Sequence, residues 1–302
     1  MINHTPFDGW GNMLLQQCFA RALGDELDYQ VHSRKIPYLV NSGNYNMSGK
    51  IFNTPVVNIT HTSKYRHYVN IDELKDMTPC RFNIRSYLEH YPNIEKYKNK
   101  IINDWVYIKN TLTHDNIKPL HGRFYTIDNN KSSTLKPVDV THVDNNDIVL
   151  SIRLGRDYLG MHKYRLLLGD YFRIVLDTVD YNRLFITSQD PFNPILNDLY
   201  QYDPIFLEHV SPMYTFNFVR LFNNIVLSQS TYSWWAAYLS AAENIYFPIT
   251  KDGPWSYGLN QKSKWKSYKH DLMVNEPRYK YVSYKDRDLL GDYESARNYL
   301  GI

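Results

Sequence analysis

Cysteine is nearly absent: the chain of 302 residues holds two, Cys18 and Cys80. Cys18 falls on an apolar helix face and Cys80 follows a proline in a loop, so no disulfide framework is expected. The setting this implies is reducing and cytoplasmic. Charge of one sign is also scarce. The 34 Lys and Arg against 31 Asp and Glu leave a net charge of +3. That is far from the basic footprint of a duplex DNA binder, and no nucleic-acid partner is expected. No apolar run approaches the roughly 20 residues that cross a bilayer, so no transmembrane segment is expected. The opening MINHTPFDGW lacks a basic region followed by an apolar stretch, which argues against a secretory leader. Metal-ligand spacing is missing too. No D-x-D ends an apolar strand, and DRD (286–288) sits in a late charged stretch. His61 and His67 have no nearby Cys or acidic partner and read as solvated, so no metal is expected.

What is present is globular. The composition is 43% hydrophobic and 15% aromatic, and the length allows two domains with a sizeable core. The 27 tyrosines, with many Asn, Ile and Lys, match the coding bias of an AT-rich genome. If that genome is viral, the expected location is the host cytoplasm.

The C-terminal half has the clearer periodicity. DIVLSIR (147–153) is apolar and β-branched, the mark of a buried strand. GDYFRIVLDTV (169–179) follows with Phe172, Val175, Leu176 and Val179 at helical spacing. RLFIT (183–187), PIFLE (204–208), NIVLS (224–228) and NIYFP (244–248) read as further strands. NPILNDLYQY (193–202), MYTFNFVRLF (213–222) and the stretch after Ser228 read as the helices between them. This alternation predicts an α/β domain with a doubly wound parallel sheet.

The N-terminal half is less regular. NMLLQQCFARAL (12–23) predicts a helix with Leu14, Leu15, Cys18, Phe19 and Ala22 on one face and Gly24 as its C-cap. LDYQVHS (27–33) reads as a strand, and residues 93–112 as a long amphipathic helix with Ile94, Tyr97, Ile101, Trp105, Ile108 and Leu112 on one stripe. Polar residues from His114 to Asn146 predict a linker or domain-edge loop. DLLGDYESARNYLG (288–301) reads as a terminal helix. The expected domains are 1–140, 141–282 and a terminal helix in 283–302 that packs back on the N-terminal domain.

Three loop-to-helix junctions carry the candidate chemistry. In QSTYSWWAAYL (229–239), Trp234, Trp235, Tyr238, Leu239 and Ala242 make one apolar face, so the tryptophans pack the helix on the sheet. Ser230, Thr231 and Ser233 then cap its N-terminus and line the crevice at the strand ends, where doubly wound sheets bind ligands. A helix N-terminus suits a phosphate; plain N-capping is the alternative. In FDGWGNMLLQQ (7–17), Gly9 and Gly11 allow a tight turn and close backbone approach, with an ordinary turn as the alternative. INHTPF before it is short, polar and broken by Pro6, so no dinucleotide fingerprint is supported. In VLSIRLGRDYLG (149–160) a buried strand runs into Arg153, Gly155, Arg156 and Asp157. The planar guanidinium of Arg153 matches phosphate oxygens, and a surface ion pair with Asp157 is the alternative.

In this order the three stretches resemble glycosyltransferase family 11, the inverting α-1,2-fucosyltransferases, and more loosely the wider fucosyltransferase group with a GT-B fold. The family's G-G-x-G-N-Q segment running into F-A-R-A-L is similar to Gly9-Trp10-Gly11-Asn12-Met13 and Phe19-Ala20-Arg21-Ala22-Leu23. Its H-x-R-R-G-D-Y is similar to Ser151-Ile152-Arg153-Leu154-Gly155-Arg156-Asp157-Tyr158. Its S-x-S-S-F-S-W-W-A-A-W-L is similar to the run from Ser228 to Leu239, and FITSQD (185–190), with Ser188, to its F-S-D-D strand end. Ser151 stands where the family has histidine, Arg156 is inserted before Asp157, and Gln189 replaces a common aspartate.

The resemblance implies two Rossmann-type domains in a GT-B arrangement, the N-terminal one on the acceptor side. It implies transfer of fucose from GDP-fucose to a glycan hydroxyl, with inversion and without metal. Arg153 inherits the donor-diphosphate role, helped by Arg156, Ser188, Ser230, Thr231, Ser233 and the Gly9, Gly11, Asn12 loop. Asp8 and Asp157 are the candidate bases. Two alternatives stand beside it: transfer from another nucleotide sugar, such as GDP-rhamnose or a UDP-sugar, and a non-catalytic glycan-binding protein whose tyrosines and tryptophans stack on sugars.

Overall fold

The structure, a computed structural model, describes residues 1–60, 69–108, 112–117, 122–128, 134–154, 170–191, 193–208, 210–249, 271–283 and 286–301. The chain is α/β and divides into two units, Met1–Lys109 with Leu259–Met273 and Asn110–Gly258 with Val274–Ile302.

In the first unit β1 (Ile2–His4), β2 (Val31–Ser33), β3 (Val56–Thr60) and β4 (Arg81–Arg85) form a sheet in the order β2-β1-β4-β3, with every pair parallel. No clear strand is expected before Gly9 from the sequence, yet β1 is an inner strand. Its ladder runs past its short length on both sides: Ile2 N–H donates to Gln30 O (2.8 Å), Phe82 N–H to Met1 O (3.0 Å) and Thr5 N–H to Ile84 O (3.0 Å). Backbone pairing to two neighbours offsets the weak strand propensity of a short polar segment.

The first unit's helices are α1 (Trp10–Leu27) and the short α2 (Ile71–Lys75), and α1 runs past the expected end at residue 23. Gly24 is not its C-cap. The helix stops at Asp28, which takes the left-handed conformation (φ 53°) and donates its N–H to Asp25 O and Gly24 O. Gly24 serves packing instead, since a Cβ there would lie 2.5 Å from Val31 Cγ2 and 3.3 Å from Tyr29 O. Leu14, Leu15, Cys18, Phe19 and Ala22 are buried as expected, and so are Gln16, Gln17 and Arg21. Gln17 Nε2 and Arg21 Nη1 both donate to Trp105 O at 3.3 Å. Cys18 and Cys80 are buried free thiols, and burial pushes Cys18 up to about 12.

Among the described residues, the expected long helix over 93–112 does not form. Short 3₁₀ turns (Tyr91–Asn93, Glu95–Tyr97), one α turn (Lys98–Lys100) and a π turn (Ile101–Trp105) take its place. The apolar positions Ile94, Ile101, Trp105 and Ile108 are buried, so the stripe marked the core without fixing the helix. The competing force is tertiary, from Glu26 on α1. Lys96 and Tyr97 both reach Glu26, although a regular helix would turn consecutive side chains about 100° apart. Burial pushes Glu26 up, but hydrogen bonds from Lys75, Lys96 and Tyr97 outweigh it and hold the carboxyl at about 2.

In the second unit the described strands form one mixed sheet in the order β13-β12-β11-β10-β7-β8-β9-β5-β6. These are β5 (Arg123–Asp128), β6 (Thr134–Val138), β7 (Ile148–Ile152), β8 (Leu184–Ser188), β9 (Ile205–Glu208), β10 (Asn224–Leu227), β11 (Asn244–Ile249), β12 (Tyr279–Ser283) and β13 (Asp288–Gly291). The run from β12 to β9 is parallel. The edges are antiparallel. The sheet is therefore not purely parallel as the sequence suggested. The expected linker contains the β5–β6 hairpin, which pairs with β9. The expected terminal helix opens as β13, and only four residues separate it from β12, too few for a parallel crossover.

Counted along the chain, the parallel strands lie in the order 3-2-1-4-5-6, so the direction of winding reverses between β7 and β10. Both faces are covered. Helix α3 (Asp170–Leu176) and the 3₁₀ segment Pro194–Tyr202 share one core with Ile148, Leu150, Ile152, Leu184, Ile186 and Phe206. Phe185 points to the other face, with its ring 5.8 Å from Phe218 of α4 (Pro212–Val219) and 5.2 Å from Phe222. Helix α5 (Thr231–Tyr238) packs beside α4 and on β10. The terminal helix α6 (Tyr293–Leu300), capped by Asp292, lies on β12 and β13 of its own unit. Two α/β units, one with a parallel four-stranded sheet and one with a larger mixed sheet, are compatible with a two-domain Rossmann-like arrangement.

Candidate functional site

The reversal between β7 and β10 sets the candidate site. In such sheets the two strands flanking the reversal send their following segments to opposite faces, which opens a crevice at their carboxyl ends. β7 is buried at every position from Ile148 to Ile152, as expected for an inner strand, and then runs into Arg153. β10 is equally buried and runs through Ser228, Gln229 and Ser230 into α5.

A set of serines ties these two ends together. Ser228 N–H donates to Ser151 O at 3.2 Å, extending the ladder past β10. Arg153 N–H donates to Ser228 Oγ at 3.0 Å. The Ser151 and Ser233 hydroxyls are 2.8 Å apart, and Ser233 Oγ lies 3.4 Å from Ser151 O. Ser230 takes the extended N-cap conformation, and its hydroxyl accepts from Ser233 N–H at 3.5 Å. Ser151, Ser228, Ser230 and Ser233 are buried, while Thr231 and Arg153 are half-buried.

The tryptophans do what the sequence assigned them. Trp234, Trp235 and Tyr238 are buried; Trp234 stacks on Tyr238 (4.8 Å between ring centres, 9°) and meets Trp235 edge-on (5.0 Å). Tyr232 donates its hydroxyl to Pro212 O, which ties the first turn of α5 to the first residue of α4. A rigid helix start, several hydroxyls and one guanidinium-bearing residue thus meet at the ends of β7 and β10. That combination suits an anion with several oxygens.

The other expected site residues fall as follows. Ser188 ends β8 half-buried, and its hydroxyl accepts from Asp190 N–H at 3.3 Å. Arg156 and Asp157 lie outside the described residues, as do His61 and His67. Asp8, Gly9, Gly11 and Asn12 lie in the first unit, between β1 and the first turn of α1. Here the glycine reading needs correction. Gly9 has an ordinary extended backbone (φ −65°), and a Cβ on it would meet nothing within 4 Å. The left-handed residue is Asp8 (φ 68°), exposed and held by Asn12 Nδ2 at 2.7 Å. Asp residues tolerate that conformation because their short side chain bonds locally. Gln16 secures the same loop from below, accepting from Phe7 N–H (3.1 Å) and donating to Phe7 O (3.2 Å). Beside it, His4 Nδ1 lies 2.8 Å from Ser33 Oγ, and burial, aided by Arg21, draws the imidazole down to about 3 despite a contact with Gln16.

The hydroxyls of Ser228 and Ser151 were missed as site residues. Their signal was their place: each is a polar residue at the carboxyl end of a buried run, where backbone pairing is about to stop. Among the described residues no helix is long and apolar enough to cross a membrane. No protein-family model matches the chain, and no curated protein matches it.

Proposed function

We propose that the chain is an inverting glycosyltransferase that moves a sugar from a nucleotide-sugar donor to a glycan hydroxyl, without metal, with GDP-fucose the first donor to assay. The observation that carries this reading is Arg153 beside the serine-lined start of α5, at the reversal of a sheet with order 3-2-1-4-5-6. A diphosphate leaving group needs its growing charge neutralised, and Arg153, the Ser230 and Thr231 hydroxyls and the start of α5 supply groups for that, while Ser233, buried and bonded to Ser151, holds the helix start in place. The same residues carry the similarity to family 11 of the glycosyltransferases, with its GT-B arrangement. In the reaction the acceptor oxygen bonds to the anomeric carbon as the carbon–diphosphate bond breaks. The hydroxyl proton passes to a base, for which Asp8 and Asp157 are the candidates.

One feature favours a different donor within the same class. Ser151 stands where the family carries histidine, and its hydroxyl is already engaged by Ser233. A donor base or sugar that the histidine would contact loses that partner, which keeps GDP-rhamnose and UDP-sugars in the assay. The test is a melting panel with GDP, UDP, CMP, ADP and dTDP, each with Mg²⁺ and with EDTA. Stabilisation by one nucleotide, unchanged by EDTA, supports the reading and names the donor class. No stabilisation by any of them moves the assignment to a non-catalytic glycan-binding protein.

A further inference from the structure

The large hydrophobic side chains that stand exposed among the described residues all belong to the first unit, and two of them are aromatic: Tyr38 (65% exposed) and Tyr107 (52%). Their segments adjoin. Val40, itself 60% exposed, donates its N–H to Tyr107 O at 3.1 Å, so the turn carrying Tyr38 and Val40 lies against the segment carrying Tyr107. Exposure here does not come from a loose loop. Ile36 and Leu39 are buried on either side of Tyr38. Trp10 Nε1 donates to Pro37 O at 2.8 Å, Asn41 Nδ2 to Asp104 O at 2.6 Å, and Ser42 Oγ to Leu39 O at 3.0 Å. Arg21 donates to Asn41 O from beneath. Tyr38 itself takes a left-handed backbone (φ 64°), unusual for an aromatic residue, and holds its side chain out between two neighbours that turn in.

We propose that the Tyr38–Val40–Tyr107 ridge is a carbohydrate-binding platform on which one or two sugar rings stack. The sugar chemistry of the occupant rests on the proposed transfer reading; the ridge itself does not. Tyrosine rings held rigid offer wide amphipathic contact at little entropic cost, and a sugar ring presents a C–H face with hydroxyls at its rim. Exposed Arg34 and Lys35 flank the turn with hydrogen-bond donors for those hydroxyls. The area decides against a protein partner. Two rings and a valine offer on the order of 300–400 Å², well under the roughly 800 Å² per partner of a standard interface.

The experiment titrates the full chain with cellobiose, maltose, lactose and chitobiose, read by saturation-transfer NMR, beside Tyr38→Asn and Tyr107→Ala. Asparagine suits the left-handed backbone, so the ring is lost without added strain. At least one disaccharide is expected to bind saturably, and each variant to weaken it about tenfold or more, a loss of about 1.4 kcal/mol. Nucleotide-induced stabilisation should be unchanged in both. Three results overturn the platform: none of the four sugars binds, binding survives both substitutions, or the wild type self-associates in sedimentation and the variants do not. Nucleotide stabilisation without sugar binding sinks the platform alone. Sugar binding on these tyrosines without nucleotide stabilisation keeps the platform and sinks the transfer reading.

Discussion

The hydroxyls of Ser151 and Ser233 lie 2.8 Å apart, joining the end of the first parallel strand of the second unit to the first turn of the helix after the fourth. With Arg153 N–H on Ser228 Oγ, this pair ties the ends of β7 and β10 to the start of α5. The spacing of the serines therefore has a structural use before any ligand arrives, and the same arrangement leaves the helix start ordered for one.

Removing these hydroxyls one at a time separates the two uses. Ser228→Ala leaves Arg153 N–H without its hydroxyl acceptor, and a cost of about 1–3 kcal/mol is expected in denaturant unfolding. Nucleotide affinity should fall as well, because Arg153 loses its backbone tether. Ser228→Thr keeps the hydroxyl and should restore both. A Ser228→Ala chain as stable as wild type would show that the tether is not needed.

Trp234 is buried and stacked on Tyr238, so its role is to pack α5. Trp234→Ala is expected to cost about 3–5 kcal/mol. If the variant folds, nucleotide stabilisation per mole bound should persist, since the ring is not assigned to the ligand. Calorimetry of the variant with and without nucleotide checks both parts.

Gly24 gives a test of packing in the first unit. Val31 Cγ2 lies only 2.5 Å from where an alanine methyl would sit. Gly24→Ala should therefore destabilise by about 1–3 kcal/mol despite alanine's better helix propensity. Adding Val31→Ala removes the obstructing methyl, so the double variant should lose less than the two single costs combined. Simple additivity would contradict the close approach.

His4 makes the first unit sensitive to mild acid. Its imidazole titrates near 6.5 when unfolded and at about 3 when folded, because burial disfavours the charged ring. Above pH 6.5 neither state holds the proton; below it only the unfolded chain does, so stability falls as pH drops. Glu26 acts lower, between its ordinary 4.5 and about 2, where protonation removes the benefit of its lysine and tyrosine partners. Melting between pH 7 and pH 5 should therefore fall in the wild type and be flatter in His4→Gln. Equal slopes would remove His4 from the explanation.

Much of the second unit was legible because its strands are short buried runs separated by helical spacing, and burial on both faces leaves little alternative for Ile148–Ile152 or Asn224–Leu227. The hairpin at 123–138 was lost in a polar background, though Phe124, Tyr125, Thr126 and Ile127 are good strand formers. In the first unit, local pattern gave way to tertiary pairing. β1 owes its place to two neighbours rather than to its own residues, and Lys96 and Tyr97 abandon a regular helix to reach Glu26. The candidate site is read from the sequence in part. Arg153 and the serine run stand out by type and position, whereas the turn before α1 is an ordinary one whose left-handed residue is Asp8 and not Gly9.

The most direct test of the central claim is the melting temperature of the wild type and of Arg153→Ala with saturating GDP, in EDTA. At 100 times its dissociation constant a nucleotide stabilises the native state by about 2.7 kcal/mol. The expected result is a clear rise for the wild type, little or none for Arg153→Ala, and equal melting of the two chains without ligand. A transfer assay should then show a loss of ~100–1000-fold in the variant. An equal GDP shift in a folded Arg153→Ala chain would contradict the site, and no shift in either chain with any nucleotide would contradict the function.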